Sequence, residues 1–233
     1  MLILQRPEIS QEDLGKSRAN FVIEPLEPGF GLTLGNTMRR ALLSRVPGVA
    51  VTGVKIDGVN HEFTSVPGVV EDVLDILLNL KRLVLKVDDQ ESHTLTVKAK
   101  GPGEVKAAQI QCPAGVEVVN TDLKICTLSN DSTLDMAVSI AHGVGYRLAD
   151  KNKTSDSSFI PIDSIFSPVV KVSYAVSPTQ VGQVTNYDKL SLDVETDGSI
   201  EPSEAISSVG KTLGELWKLF ADIDEGVGLE LGE

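Results

Sequence analysis

Cysteine and histidine are scarce in this chain, and each scarcity excludes a kind of site. Cys112 and Cys126 are the only two cysteines. Their separation of 14 residues matches neither a zinc-binding nor a redox spacing. The three histidines, His61, His93 and His142, lie far apart without a metal-ligand pattern. The sequence therefore predicts two reduced thiols, no metal site and no cofactor.

Long apolar runs and positive charge are also missing. No stretch approaches the roughly 18 apolar residues of a membrane helix. Pro7 and Glu8 come too early for a signal peptide. Lys and Arg number 21 against 33 Asp and Glu, a net charge of -12, and phosphate backbones repel such a chain. We expect a soluble cytoplasmic protein that makes no direct DNA contact and does not bind a membrane.

The stretch from Glu24 to Arg45 predicts a turn followed by a short helix. Prolines and glycines come first, and Pro47 ends the helix. Adjacent residues on a helix point about 100° apart, so Arg39 and Arg40 cannot share one role. The helix carries an apolar stripe at helical spacing. This stripe comprises Leu34, Met38, Ala41, Leu42 and Leu43.

A second helix is predicted to begin at Ser65 and to continue to Arg82. Pro67 would stand in its first turn, and Glu71 and Asp72 would lie near the positive end of its dipole. Such acid pairs at a helix start are more often dipole partners than general acids or bases. We found no catalytic constellation among the residues of this chain.

The middle of the chain predicts antiparallel strands with one solvated face. Short runs such as 94–98 and 134–138 alternate apolar and polar residues between turn signals. Residues 59–63 can form a return strand after the Asp57-Gly58 turn, and residues 147–158 indicate a mobile loop. Two further strands are predicted at 169–176 and 189–195.

A final helix opens at Pro202. Its apolar residues recur three and four apart, and Gly210 and Gly214 on one face would let another helix come close. The cluster at its end is either a core face, which is the default for such residues, or an oligomer interface. Two such helices from each of two copies would give a four-helix arrangement. The apolar positions include Leu213, Leu216, Trp217 and Phe220.

These patterns together predict an α+β fold of two domains. Residues 1–47 and 169–233 would pair into a discontinuous dimerisation domain, a sheet plus two interface helices. Residues 48–168 would form an inserted, mostly antiparallel β-rich domain.

A nucleotide-binding loop at residues 29–35 is the alternative that we considered for an enzyme. Its glycines follow a strand and open a helix, as in a dinucleotide-binding fold. The third glycine arrives one residue late, however, and Leu34 fills a position that needs glycine or alanine. A tight turn before a packed helix is the better interpretation.

The stretch Phe21 to Arg40 closely resembles the signature of the bacterial RNA polymerase alpha subunit, N-terminal domain, in its actinobacterial form. The resemblance covers nearly the whole chain in order. Its other quoted motifs are Ile56 to Phe63, Glu71 to Lys81, Gly101 to Val105, Phe166 to Val169 and Asp188 to Leu190.

The resemblance implies a homodimeric assembly scaffold that itself does no chemistry. Family members dimerise through their first and last helices and hold the two large catalytic subunits, beta and beta-prime. Matched position by position, Arg40 corresponds to a beta-docking residue, and Lys81 and Ile162 correspond to beta-prime-docking residues. The dimer interface would include Leu34, Met38, Leu42, Leu213, Leu216, Trp217 and Phe220.

The chain also departs from the family pattern. Val144 and Val184 stand where the family usually has arginines, which removes two positive charges. Family members continue through a flexible linker into a small helical domain that contacts promoter DNA and activators. This chain stops at Glu233 without that C-terminal domain.

Overall fold

The computed structural model describes residues 6–154, 156–182 and 184–221. Backbone contacts divide these residues into two compact units, each built around its own sheet. Unit 1 draws on segments 6–46, 171–195 and 201–221, and unit 2 draws on segments 47–170 and 196–200. The predicted α+β class with mostly antiparallel strands is confirmed.

Unit 1 is a four-stranded sheet with two helices, α1 (Phe30–Arg45) and α3 (Pro202–Ala221). Its strands lie in the order β1-β2-β15-β14, so that strands from both ends of the chain are neighbours. Phe21 pairs with Gln11 on one side and Leu192 on the other, both antiparallel. The strands are β1 (Glu8–Gly15), β2 (Arg18–Leu26), β14 (Val169–Val181) and β15 (Val184–Thr196).

Alternation along the central strands builds the core of unit 1. Ala19 and Phe21 of β2 are buried, and so are Leu190, Leu192 and Val194 of β15. Because side chains in a strand point alternately to opposite faces, these residues share one face of the sheet. Helix α1 packs closely over the same sheet, as its glycines show below.

Unit 2 contains a five-stranded sheet in the order β12-β3-β10-β5-β7. Three smaller two-stranded sheets, β4-β8, β6-β9 and β11-β13, surround it together with helix α2 (Val73–Leu80). The strands are β3 (Pro47–Ile56), β4 (Leu85–Val87), β5 (His93–Lys100), β6 (Gly103–Lys106), β7 (Ile110–Gln111), β8 (Val116–Val118), β9 (Lys124–Leu128), β10 (Thr133–Val144), β11 (Tyr146–Arg147), β12 (Ile160–Pro161) and β13 (Ser164–Ile165).

One large apolar core fills unit 2. Val138 of β10 pairs with Val54 on one side and Leu95 on the other, and all three side chains are fully buried. Ile76 and Leu80 of α2 are likewise fully buried in this core. The unit thus has a sealed interior in which the central sheet and α2 share one hydrophobic cluster.

The second helix is shorter than the sequence predicts. It begins after Asp72, and Ser65 forms an isolated β-bridge with Asp72 instead of capping a helix. Gly68 holds φ +80, and a Cβ there would meet Ser132 at 2.4 Å, so this segment follows tertiary contacts. The predicted return strand at 59–63 is also absent from the described structure.

The predicted mobile loop at 147–158 is ordered differently from the prediction in its first half. Arg147 belongs to β11, and a 3₁₀ turn spans Ala149–Asn152. Asn152 is buried and donates its Nδ2 to Ile162 O at 2.7 Å and to Ser164 Oγ at 2.8 Å. A single anchored amide therefore fixes a segment whose composition is that of a loop.

Candidate interaction surfaces

An open groove of about 860 Å³ runs between α1 and α3 in unit 1. Arg40 lines it beside Leu213 and Leu216, two residues predicted for the dimer interface. Thr37 and Ser44 of α1 also line it, at helical spacing from Arg40. The structure therefore brings the predicted beta-docking arginine and part of the predicted dimer surface into one groove.

Helix α3 changes character along its length. Ala205 and Val209 in its first half are buried, and Leu213 is half-buried. Trp217 and Phe220 lie with ring centroids 6.0 Å apart and remain 59% and 66% exposed. Leu216 and Leu219 beside them are also more than half exposed. We name these four residues, Leu216, Trp217, Leu219 and Phe220, the terminal apolar patch.

The predicted apolar face of α1 divides between two environments. Leu34 is exposed and Met38 is half-buried, whereas Leu42 has no exposed surface at all. Leu42 packs inside its own unit and supports α1 there, whereas Leu34 and Leu43 are the stripe residues that face solvent.

The glycines of the supposed nucleotide loop serve helix packing instead. A Cβ at Gly31 would lie 2.8 Å from Val176 Cγ1, and a Cβ at Gly35 would lie 2.6 Å from the Tyr174 ring. Both glycines therefore let α1 lie close against β14. The nearby strand β2 pairs antiparallel with its neighbours, unlike the parallel strands of a dinucleotide fold.

The N-terminus of α1 already holds an anion from its own chain. Asp188 Oδ2 accepts the backbone N–H of Gly29 at 2.8 Å and that of Gly31 at 3.1 Å. A helix N-terminus attracts negative charge, and a bound phosphate would need these same donors. The nucleotide alternative is therefore unsupported by the geometry.

Lys81 and the region of Ile162 come together in unit 2. Lys81 Nζ lies 3.4 Å from Asp163 Oδ2, one residue beyond Ile162. Asp163 also accepts the Ala149 N–H at 2.8 Å and the hydroxyl of Tyr146. These hydrogen bonds, from Ala149, Tyr146 and then Lys81, hold the pKa of Asp163 below its ordinary value.

Ile162 itself is buried. Its side chain is 6% exposed and belongs to the apolar core of unit 2. Its side chain therefore offers little surface of its own for a contact with another protein. The exposed apolar side chains on the adjoining strands β11 and β13 are Tyr146 and Ile165.

Glu71 ties the irregular segment before α2 to strand β9. Its carboxylate accepts the Thr127 N–H at 2.6 Å and pairs with Lys124 at 3.0 Å. Burial alone would raise the pKa of Glu71, but the bonds from Thr127 and Lys124 outweigh it and lower the pKa. Glu71 is thus a structural clamp, and Asp72, which directly precedes α2, is the acid of the predicted pair that lies at the positive end of the helix dipole.

The described residues contain no group of acids, histidines or cysteines that could hold a metal ion. Burial raises the pKa of the Cys126 thiol to about 12, which keeps it protonated and unreactive. Within the same described ranges, no helix is long and apolar enough to cross a membrane.

Sequence reasoning missed Asp163 and Leu219. The alternation of Ile160, Ile162 and Ser164 inward indicates that Asp163 points outward, but nothing in the sequence places it near Lys81. Val144, one of the two valines that stand where the family usually has arginines, is 47% exposed at the end of β10.

Comparison with known proteins is consistent with these features. Residues 54–167, all within unit 2, match the family model of the RNA polymerase Rpb3/RpoA insert domain. An α+β chain with this inserted β-rich region defines the class of Rpb3/RpoA-type polymerase subunits.

Full-length relatives narrow the class. The chain is 52% identical over 233 residues to the DNA-directed RNA polymerase subunit alpha of Corynebacterium jeikeium, covering all of this chain and 69% of the relative. It is 51% identical over 235 residues to the corresponding subunit of Saccharopolyspora erythraea, covering all of this chain and 66% of the relative. The chain belongs to the family of DNA-directed RNA polymerase alpha subunits and spans about two thirds of these relatives' length.

Proposed function

We propose that this chain is a homodimeric assembly scaffold of RNA polymerase, which docks beta and then beta-prime for DNA-templated transcription in the cytoplasm. RNA polymerase is a nucleotidyltransferase, and this chain is its non-catalytic part. The family membership supports the polymerase role. Net charge -12 favours protein partners over direct DNA contact.

The observation that carries the dimer is the terminal apolar patch. Two aromatic rings and two leucines stand exposed at the end of a helix whose first half is buried. Exposed apolar side chains grouped on one helix mark a protein interface, and aromatic residues are the usual energetic centres of such interfaces. Gly210 and Gly214 of the same helix have open space around them, where a second helix can approach closely.

A second copy of the chain fits this face better than an unrelated protein. The groove between α1 and α3 continues from Leu213 and Leu216 onto α1, so each copy offers two helices. A two-fold axis would join them as a four-helix arrangement, which covers the patch and the glycines together.

Arg40 is proposed to dock beta. Arg40 also lines the groove beside Leu216, which is part of the proposed dimer surface. A role of Arg40 in the homodimer would therefore be seen as loss of the dimer in the same variant. Arg40→Ala is expected to reduce capture of purified beta while light scattering still shows a dimer. Arg39→Ala, at the adjacent and also exposed position, is the matched control and should change neither result. Loss of the dimer in Arg40→Ala would reassign Arg40 to the homodimer.

Beta-prime docking is proposed for the Lys81 region of unit 2. Lys81 is partly exposed, and the exposed side chains of Tyr146 and Ile165 lie on the strand pair that flanks its partner Asp163. Ile162 lies beneath this surface. Lys81→Ala should therefore weaken the binding of beta-prime to a preformed complex of the dimer with beta.

A further inference from the structure

Both oxygens of the Asp163 carboxylate have partners within the fold, which distinguishes Asp163 from an unpaired surface carboxylate. One oxygen, Oδ1, accepts the backbone N–H of Ala149 at 2.8 Å, and the other, Oδ2, faces Lys81 Nζ at 3.4 Å. The Tyr146 hydroxyl donates to the same carboxylate. Three elements therefore meet on this group: the end of α2, strand β11 and the 3₁₀ turn at Ala149–Asn152.

Its partners remain available to another protein. The Tyr146 side chain is 58% exposed although its hydroxyl is bound. The Lys81 side chain is 26% exposed, and that of Asp163 is 34% exposed. A lysine and a tyrosine are thus presented at the surface with their polar tips fixed from behind.

We propose that Asp163 is a positioning residue for beta-prime docking, which presents Lys81 and Tyr146 as one preorganised contact. The inference rests on the proposed docking role of Lys81. Long side chains lose rotamer freedom when they bind, and fixing them beforehand removes part of that cost. The carboxylate also means that Lys81 docks as one half of an ion pair and not as an isolated cation.

A double-mutant cycle tests this role. The titration of beta-prime against a complex of the full chain with beta gives an affinity for each variant. Lys81→Ala should weaken binding by about tenfold, and Asp163→Asn by about three- to tenfold. In the double variant, Asp163→Asn should add at most the two- to threefold loss that belongs to Tyr146. Equal losses with and without Lys81 would overturn the positioning role, because Asp163 would then act independently of Lys81.

Matched controls separate positioning from charge and folding. Asp150→Asn removes the same charge from an exposed carboxylate that pairs with Lys153, and it should leave the affinity unchanged. Tyr146→Phe removes one hydroxyl from an exposed ring and should weaken binding by about two- to threefold, provided that Asp163 is present. It also tests the inference if Asp163→Asn does not fold.

The two proposals fail differently. If Lys81→Ala leaves beta-prime binding unchanged, the docking assignment itself is wrong, and the inference falls with it. If Lys81→Ala weakens binding but Asp163→Asn and Tyr146→Phe do not, the docking assignment stands and the positioning role is wrong.

Discussion

Unit 1 and unit 2 differ in how they bury their apolar surface. Unit 2 contains one large buried cluster, in which Val54, Ile76, Leu80, Leu95 and Val138 have no exposed surface. Unit 1 buries one face of a sheet under α1 and leaves the end of α3 in solvent. A sealed core stabilises its own unit, whereas an exposed helix end invites association. The contrast distinguishes buried residues that stabilise a unit from exposed apolar residues that are available for contact with another protein.

The largest expected effect lies in the core of unit 2. Leu80→Ala should lower the free energy of unfolding by about 2–5 kcal/mol, because it removes a fully buried side chain and leaves a cavity. Leu78→Ala, on the same helix but 50% exposed, should change it by about 0.5 kcal/mol or less. Urea denaturation of both variants measures the difference. Similar losses would show that the exposed side of α2 is also covered.

Substitutions in the terminal apolar patch should affect dimerisation more than folding. The pair Trp217→Ala and Phe220→Ala should weaken dimerisation by about 2 kcal/mol or more, roughly 30-fold, as loss of interface anchors does. Analytical ultracentrifugation over a range of concentrations measures it. Phe63→Ala in unit 2 removes a ring that is 78% exposed and serves as the control. A dimer that survives the loss of both rings would contradict the proposed interface.

The glycines of the two helices in unit 1 offer a finer test. Gly35→Ala should destabilise the protein by about 1–3 kcal/mol, since the added methyl group meets the Tyr174 ring at 2.6 Å. Gly210→Ala meets nothing within 4 Å and should stabilise the isolated protomer by up to about 1 kcal/mol through helix propensity. Thermal unfolding in a background that lacks Trp217 and Phe220 separates these effects from dimerisation. Equal shifts at both positions would mean that α1 does not press on the sheet as described.

The hydrogen bonds of Glu71 should contribute about 1–2 kcal/mol to the free energy of unfolding of unit 2, and acid should remove this contribution. The lowered pKa of Glu71 means that its contribution is complete above the unfolded pKa of about 4.3 and is lost as pH falls through the folded value. Glu71→Gln should therefore destabilise unit 2 at pH 7, and its effect should shrink as the pH falls from about 4 towards 3. Denaturant titrations at both pH values would measure this.

The matched carboxylate in unit 1 is Asp193, whose pKa the Arg18 hydrogen bond lowers. Its carboxylate is somewhat more exposed than that of Glu71, with the Asp193 side chain 26% exposed against 18% for Glu71. Solvent screening should limit the loss in Asp193→Asn to below about 1 kcal/mol at pH 7. A loss larger than that of Glu71→Gln would reverse the comparison.

Local patterns predicted what local forces decide. Pro202 marks the start of α3, and the alternating residues around 169–176 and 189–195 lie in β14 and β15. The α2 prediction began too early because Glu71 and Gly68 obey contacts with β9 and Ser132, which are distant in sequence. The candidate surfaces show the same difference between what local patterns predict and what only the fold brings together. Trp217 and Phe220 were evident from spacing, whereas the link from Lys81 to Asp163 required the fold.

The pairing of β2 with β15 affects the order in which the two units can form during synthesis. Strand β2 emerges early in synthesis, but its partner Asp188 is 162 residues beyond Leu26. At roughly 5–20 residues per second, the ribosome needs about 8–30 s to supply it. All the strands of unit 2 are completed within that interval. Strands β1 and β2 can pair with each other in this interval, but they and α1 must wait for β14 and β15 before the sheet of unit 1 is complete. During that time the incomplete unit is exposed to chaperones and to wrong partners.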